Sequence, residues 1–161
     1  MSPVLKVSVI IEHDGKLLLI KEKFKAGTKP GWNLCGGGWE EEDGDLKATA
    51  IREAREESGL DVEVVGLYGV AVVKLTQGHA LRFFFVCRAL TTDVELLPKE
   101  EQEKLNEEIV GFQWFSHEEV SVLSDDAFVS STVASVIKTY ARVPQHSPAE
   151  QVLYFENETK F

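Results

Sequence analysis

Glu53, Glu56 and Glu57 stand at i, i+3 and i+4 in the segment Leu46-Lys47-Ala48-Thr49-Ala50-Ile51-Arg52-Glu53-Ala54-Arg55-Glu56-Glu57-Ser58, so on a helix three carboxylates gather at one end. Like charges at that spacing repel by roughly a few tenths of a kcal/mol per pair unless a cation lies between them. Oxygen donors alone favour a hard divalent ion, Mg2+ or Mn2+, and such an ion is commonly shared with phosphate. Upstream, Gly36-Gly37-Gly38 lets the backbone approach a ligand closely and aims amides at anionic oxygen. A glycine loop feeding a carboxylate-bearing helix therefore points to metal and phosphate chemistry.

The helix that must carry these groups is predicted over Leu46 to Ser58, with Asp45 as N-cap and Gly59 as the C-terminal stop. At about 100° per residue from Leu46, residues Ala50, Ala54 and Ile51 fall near 40°, 80° and 140° and mark the face expected to be buried. Glu57, Glu53 and Glu56 fall near 20°, 340° and 280°, flanking or overlapping that face. A helix that used its acids only for solubility would place them opposite. The plainer reading is an exposed helix on which Glu56 pairs with Arg52 at i, i+4, and the preceding glycines weigh against it.

Around this helix the pattern is mostly β. Val4 to Glu12 and Lys16 to Lys23 read as a hairpin closed by Asp14-Gly15. Val62 to Lys74 and Leu81 to Leu90 read as strands joined through Gln77-Gly78, and Phe112 to Phe115 as a short strand. Ser116 with Glu119 forms a capping-box pattern for a short helix to about Leu123, and helical periodicity runs from Asp126 to Arg142. No repeat or linker divides residues 1–161, so a single α+β domain is expected, with a weakly patterned tail after about residue 144.

Composition narrows the classes. With 43% hydrophobic and 27% charged residues the chain can bury an ordinary core. No apolar run reaches the length of a membrane span and the N-terminus has no signal-peptide pattern, so a cytoplasmic protein without membrane association is expected. Cys35 and Cys87 have no metal or redox spacing. A net charge of −10 argues against bulk nucleic-acid binding. Lys21 to Leu34 nevertheless holds Lys21, Lys23, Lys25 and Lys29 against Glu22, a segment that reads equally as a solvated loop or a phosphate clamp.

The stretch from Gly38 resembles the Nudix box, G-x5-E-x7-R-E-U-x-E-E-x-G-U with U a bulky aliphatic. Gly38, Arg52, Glu53, Glu56, Glu57, Gly59 and Leu60 match it, Ala54 matches weakly, and Gly44 stands where the first glutamate belongs. Asp43, Asp45 or Glu42 is expected to take over that loop role. Trp32-Asn33-Leu34 before the glycines, Ala80 to Phe85 and Gly111 to Phe115 also resemble Nudix strands, with Cys35 where proline is frequent.

The resemblance implies an α/β/α sandwich around a mixed β-sheet, and a Mg2+-dependent (or Mn2+-dependent) hydrolase. Its substrate would be a small phosphorylated molecule, a nucleoside di- or triphosphate or a related X-linked diphosphate, cleaved by water attack on phosphorus. The implied catalytic set is Glu53, Glu56, Glu57 and Arg52, with Arg52 orienting the carboxylates. Glu53, Glu56, Glu57 and Gly37 are the implied metal ligands, and Gly38, Trp39, Lys21 and Arg82 the residues expected to meet substrate. The base or an additional ligand is sought among the acids from Glu95 to Glu108, where Glu107 and Glu108 precede a strand most closely; the rest of that run reads as a solvated loop. Homodimerisation is common in the family but is encoded by no feature of this sequence. The competing functional class is a Nudix-like module that binds a nucleotide without cleaving it, suggested by Gly44. A prenyl-diphosphate isomerase lacks its cysteine and glutamate arrangement.

Overall fold

The computed structural model describes residues 2–23 and 27–149. β1 (Val4–His13) turns into β2 (Lys16–Glu22) through Asp14 and Gly15, both at positive φ (47° and 73°), which matches the twist of the flanking strands. The two strands pair only from Ile11 to His13. Toward its N-terminus β1 pairs instead with β4 (Cys35–Gly38), while β2 continues onto β3 (Gly31–Asn33) and β7 (Ile109–Ser116). The sheet thus splays open, and the chain crosses the gap from β3 to β4 at Leu34.

On the other side of β1 lies β6 (His79–Ala89), parallel to it from Val4 to Glu12, followed by antiparallel β5 (Val62–Lys74). β8 (Ser147–Pro148) adds to β5 at Gly66 and Leu67. The described part of the tail therefore joins the sheet, and residues 150–161 lie outside the described residues. The sheet is mixed because one parallel pair sits among antiparallel ones.

β1 is buried on both faces, and its alternate residues feed two cores. Val7, Val9 and Ile11 join Leu18, Ile20, Phe85, Ala50 and Ala54 beneath α1 (Leu46–Ser58). On the opposite face Ile10, Leu17, Leu19, Phe84 and Val86 pack against Val120 of α3 (His117–Val122, counting α2 as Lys99–Lys104) and against Val133, Ile137 and Tyr140 of α4 (Ser131–Arg142). This is an α/β/α sandwich.

α1 begins and ends where its caps require: Ala48 N donates to Asp45 Oδ1 at 2.8 Å, and Gly59 adopts φ 71°. Its buried face differs from the wheel. Ala50 and Ala54 are buried, but Ile51 is 39% exposed, because the arc that faces the sheet is centred on Ala50, Glu53, Ala54 and Glu57. The closing helix starts at Ser131 rather than Asp126, since Asp125–Ala127 form a 3-10 turn and the Ser130 hydroxyl caps Val133 N. The acidic run before β7 contains α2, a short helix that charge density concealed.

Gly59 has a second constraint besides its left-handed backbone: a Cβ there would lie 2.7 Å from Glu95 O. Gly44, at φ 75°, has nothing within 4 Å of such a Cβ. Urea denaturation is expected to show Gly59→Ala less stable by about 2 kcal/mol or more and Gly44→Ala by only about 1 kcal/mol. Equal losses would show that the contact with Glu95 carries no weight.

Candidate active site

The box helix delivers its carboxylates to the gap in the splayed sheet. Glu57 and Glu53 are each only 4% exposed. Glu57 Oε2 accepts a hydrogen bond from Gly36 N at 2.7 Å, tying the helix end to β4. The glycines make this approach possible: a Cβ on Gly36 would lie 2.2 Å from Val7 O, and one on Gly37 would lie 2.3 Å from Glu53 Oε1. The glycine loop thus leaves room for a carboxylate as well as for any ligand.

Arg52 is the organising cation. Its Nε and Nη2 donate to the two oxygens of Asp43 at 2.7 and 2.9 Å. Nη1 donates to Glu53 Oε1 at 2.9 Å and Glu56 Oε2 at 3.0 Å, and Nη2 also to Gly38 O at 2.8 Å. The expected Arg52–Glu56 pair therefore exists, as one arm of a larger fork. Asp43 is fixed in turn by Thr49 Oγ1 at 2.8 Å and by Glu40 N at 3.1 Å. The guanidinium holds the Asp43 carboxyl down at about 2. Of the acids proposed to cover for Gly44, Asp43 is the one on Arg52, whereas Asp45 caps the helix and Glu42 is exposed.

Glu107 completes the cluster from across the gap. It follows Asn106, at φ 57°, and its amide donates to Gln102 O at 2.9 Å. Buried Gln102 also accepts from Ile109 N at 2.7 Å and donates to Leu97 O at 2.8 Å, so one α2 side chain pins the turn that aims Glu107. Ligand oxygens of Glu53, Glu57 and Glu107 all lie within 4.8 Å of one another. Glu107 Oε2 is buried with no hydrogen-bond partner. Burial raises Glu53 to about 7, with the Glu56 charge adding to it, against the pull of Arg52. Glu107 is raised to about 7 by burial and then by Glu22, and Glu57 is pushed up by burial and then by Glu107. Two buried carboxylates and a half-buried third that resist ionisation and keep an unpartnered oxygen are suited to a hard divalent cation.

The remaining expected residues are distributed around this centre. Glu108 turns away to Lys23, 2.5 Å distant. Glu56 stands at the rim with its side chain 32% exposed. Lys21 places its ammonium 5.1 Å from the ring centre of Trp32, which packs edge-on against Phe115, while Lys25 lies outside the described residues. Trp39 is half-buried beside β1, bonded through its amide to Leu5 O at 3.1 Å. Arg82 lies on the face opposite α1 and lines a cavity of about 380 Å3 with Lys6, Asn33, Phe84 and Val129.

Glu22 and Gln102 escaped the sequence reading. Glu22 accepts from Asn33 Nδ2 at 2.8 Å, and its charge reaches Glu57, Glu107 and Arg82. It joins the cavity to the acidic cluster. Its place at the end of β2, opposite Gly31, was the only available signal.

The NUDIX domain profile matches residues 3–135. The chain belongs to the Nudix family of hydrolases, enzymes that act on phosphoanhydride bonds. It is similar to a solved NUDIX hydrolase from Nitrosomonas europaea, at 24% identity and a TM-score of 0.74, covering 96% of this chain and 98% of that one. A MutT protein from Methanosarcina mazei Go1 follows at 21% identity and a TM-score of 0.69, covering 89% and 97%. The NUDIX domain of Shewanella oneidensis NrtR, solved in complex with ADP ribose, shares 14% identity with a TM-score of 0.67 over 90% of each chain. No curated protein matches the sequence significantly. Within the Nudix box, then, the departure at Gly44 is accompanied by an Arg52 clamp on the preceding residue.

Two expectations follow from the buried carboxyls. Glu53 and Glu107 are raised from an ordinary 4.5 to about 7, so the folded state binds more protons than the unfolded one between those values. Their contribution is present below about 4.5 and is lost as pH rises through about 7, so the melting temperature in chelator should fall from pH 5 to pH 8. A flat profile would contradict the burial. Gly37→Ala is expected to displace the Glu53 carboxylate and lower turnover about a hundredfold, with a smaller loss of stability; wild-type turnover would show that Glu53 needs no such place.

Proposed function

We propose that this Nudix hydrolase is a Mg2+-dependent pyrophosphohydrolase, cleaving a nucleoside di- or triphosphate or a related X-linked diphosphate by water attack on phosphorus. The observation that carries the proposal is the convergence of Glu53, Glu57 and Glu107 within 4.8 Å in a buried gap. These side chains would hold the ion, with Glu56 at the rim. When bound, the divalent ion supplies Lewis-acid stabilisation of phosphoryl charge and lowers the pKa of water.

The chain's own groups do the rest. Arg52 acts as a positioning residue, fixing Glu53 and Glu56 in one fork and holding the Gly38 carbonyl, so the glycine loop and helix end move as a unit. The Gly36 amide is committed to Glu57, so the glycine strand serves the site by fixing that carboxylate and by leaving room beside Gly37 for Glu53. The proton of the attacking water would pass to a carboxylate of this cluster. Arg82 and its cavity receive the organic half, with Lys21 and Trp39 at the margins of the site. Buried, unbridged Cys35 and Cys87 accord with action in the cytoplasm.

A second reading, nucleotide binding without cleavage, draws on Gly44 and on the ADP-ribose complex of the NrtR domain. The intact carboxylate trio and the Asp43 clamp favour hydrolysis.

Release of phosphate and diphosphate from a panel of nucleoside di- and triphosphates, nucleotide sugars and thiamine diphosphate separates the two. Release is expected to require Mg2+ and to fall at least about a hundredfold in Glu57→Gln. Mg2+ at pH 8 should also raise the melting temperature of wild type and not of Glu57→Gln. A folded protein that binds a nucleotide but releases nothing with metal would establish the binding reading.

A further inference from the structure

Glu22 brings a further carboxylate to the cluster, and its strand, a bulge and a neighbouring amide all direct it there. β2 sends Leu18 and Ile20 into the core beneath α1 and Leu17 and Leu19 into the opposite one. Its pairing with β3 stays regular through Ile20–Asn33, Lys21–Trp32 and Glu22–Gly31. Glu22 therefore follows Leu18 and Ile20 to the α1 side, from which Glu53 and Glu57 enter the gap. Against β7 the register slips: Lys21 is level with Gly111 and Glu22 with Ile109, which leaves Val110 as the extra residue of a bulge. Bulges beside sites re-aim side chains. This one sets Glu22 against the turn that presents Glu107, and Lys23 N donates to Glu108 O at 3.0 Å across the same junction.

Asn33 then fixes the side chain. Its Oδ1 accepts from Leu34 N at 2.9 Å, which settles the orientation of the amide, and its Nδ2 donates to Glu22 Oε2 at 2.8 Å. Glu22 is the charge that raises Glu107 most, and it also raises Glu57. It is nevertheless not one of the three residues whose oxygens lie within 4.8 Å of one another. Glu22 thus borders the proposed ion seat without belonging to it. Carboxylate oxygens that hold a cation are poor proton acceptors. Of the other acids close by, Glu56 is bonded to Arg52 and Glu108 to Lys23, whereas Glu22 accepts from a neutral amide.

We infer that Glu22 is the general base of the hydrolysis. Its carboxylate accepts a hydrogen bond from the attacking water and takes that proton as the water oxygen bonds to phosphorus. The bond from phosphorus to the leaving phosphate oxygen breaks with its electron pair on that oxygen, and Glu22 afterwards returns the proton to solvent. The inference rests on the hydrolase reading above, and it makes Asn33 a positioning residue for Glu22.

The test compares wild type with Glu22→Gln and Glu22→Asp on the panel substrate that wild type turns over fastest with Mg2+. Gln keeps the shape and an oxygen for Asn33 but cannot take the proton; Asp keeps the carboxylate on a shorter stem. For Glu22→Gln, kcat per folded protein should fall at least about a hundredfold with KM unchanged. The rise in melting temperature that Mg2+ produces at pH 8 should be retained, and Glu22→Asp should keep clearly more turnover than Glu22→Gln. Loss of one like charge from the cluster should leave the melting temperature of Glu22→Gln in chelator no lower than that of wild type. Wild-type kcat in Glu22→Gln overturns the inference and leaves the hydrolase reading standing. So does loss of the Mg2+ effect, which would make Glu22 a ligand of the ion, and so does turnover lower in Glu22→Asp than in Glu22→Gln, which would make its role one of shape. No Mg2+-dependent turnover of any panel member by wild type overturns the hydrolase reading itself, and this role with it.

Discussion

The structure depends on one electrostatic compromise: several carboxylates are held largely out of water in the gap of a splayed sheet, and Arg52 bonds directly to three of them, Asp43, Glu53 and Glu56. A guanidinium with five donor hydrogens can bridge Asp43, Glu53, Glu56 and the Gly38 carbonyl at once, which a lysine ammonium could not do in one plane. Glu57 and Glu107 remain outside that fork. Their mutual repulsion and burial are left for protonation, or for a bound cation, to relieve. The fold's least comfortable place is thus its most useful one, and stability given up there is offset by two continuous cores on either side of β1.

The splay itself has a local cause. β1 must pair with both β2 and β4 along the same edge, so those two strands divide its length. Gly36 allows β4 to pass so close to β1 that no side chain would fit, and Gly37 opens the space that Glu53 fills. Backbone freedom and carboxylate placement are therefore a single requirement. The Asp43 clamp shows the same economy: with glycine at position 44 turning the chain at φ 75°, the preceding residue swings onto Arg52.

Much of this was legible because it is local. The limits of α1 follow from Asp45 and Gly59, the first hairpin from Asp14-Gly15, and the short third helix from the Ser116/Glu119 box, all of which act within four residues. The spacing of Gly38, Arg52, Glu53, Glu56, Glu57 and Gly59 carried the family resemblance, and the NUDIX profile over residues 3–135 agrees with that family. What could not be read depends on long-range packing. Ile51 is exposed because the buried arc of α1 is set by glutamates meeting a distant turn. Gln102 matters only through the backbone it holds at Glu107 and Ile109, and Glu22 only because β2 ends beside Asn33. Helix α2 was masked by charge, since its acids give the sequence the look of a solvated loop.

The proposed seat of a divalent cation is the trio Glu53, Glu57 and Glu107. The most direct measurement is a crystal structure of the protein soaked with Mn2+ and a non-hydrolysable diphosphate, with the ion located by its anomalous scattering. The expected result is an anomalous peak coordinated by oxygens of Glu53, Glu57 and Glu107. Ions found only at the exposed acids, with these three carboxyls still packed on one another, would contradict it.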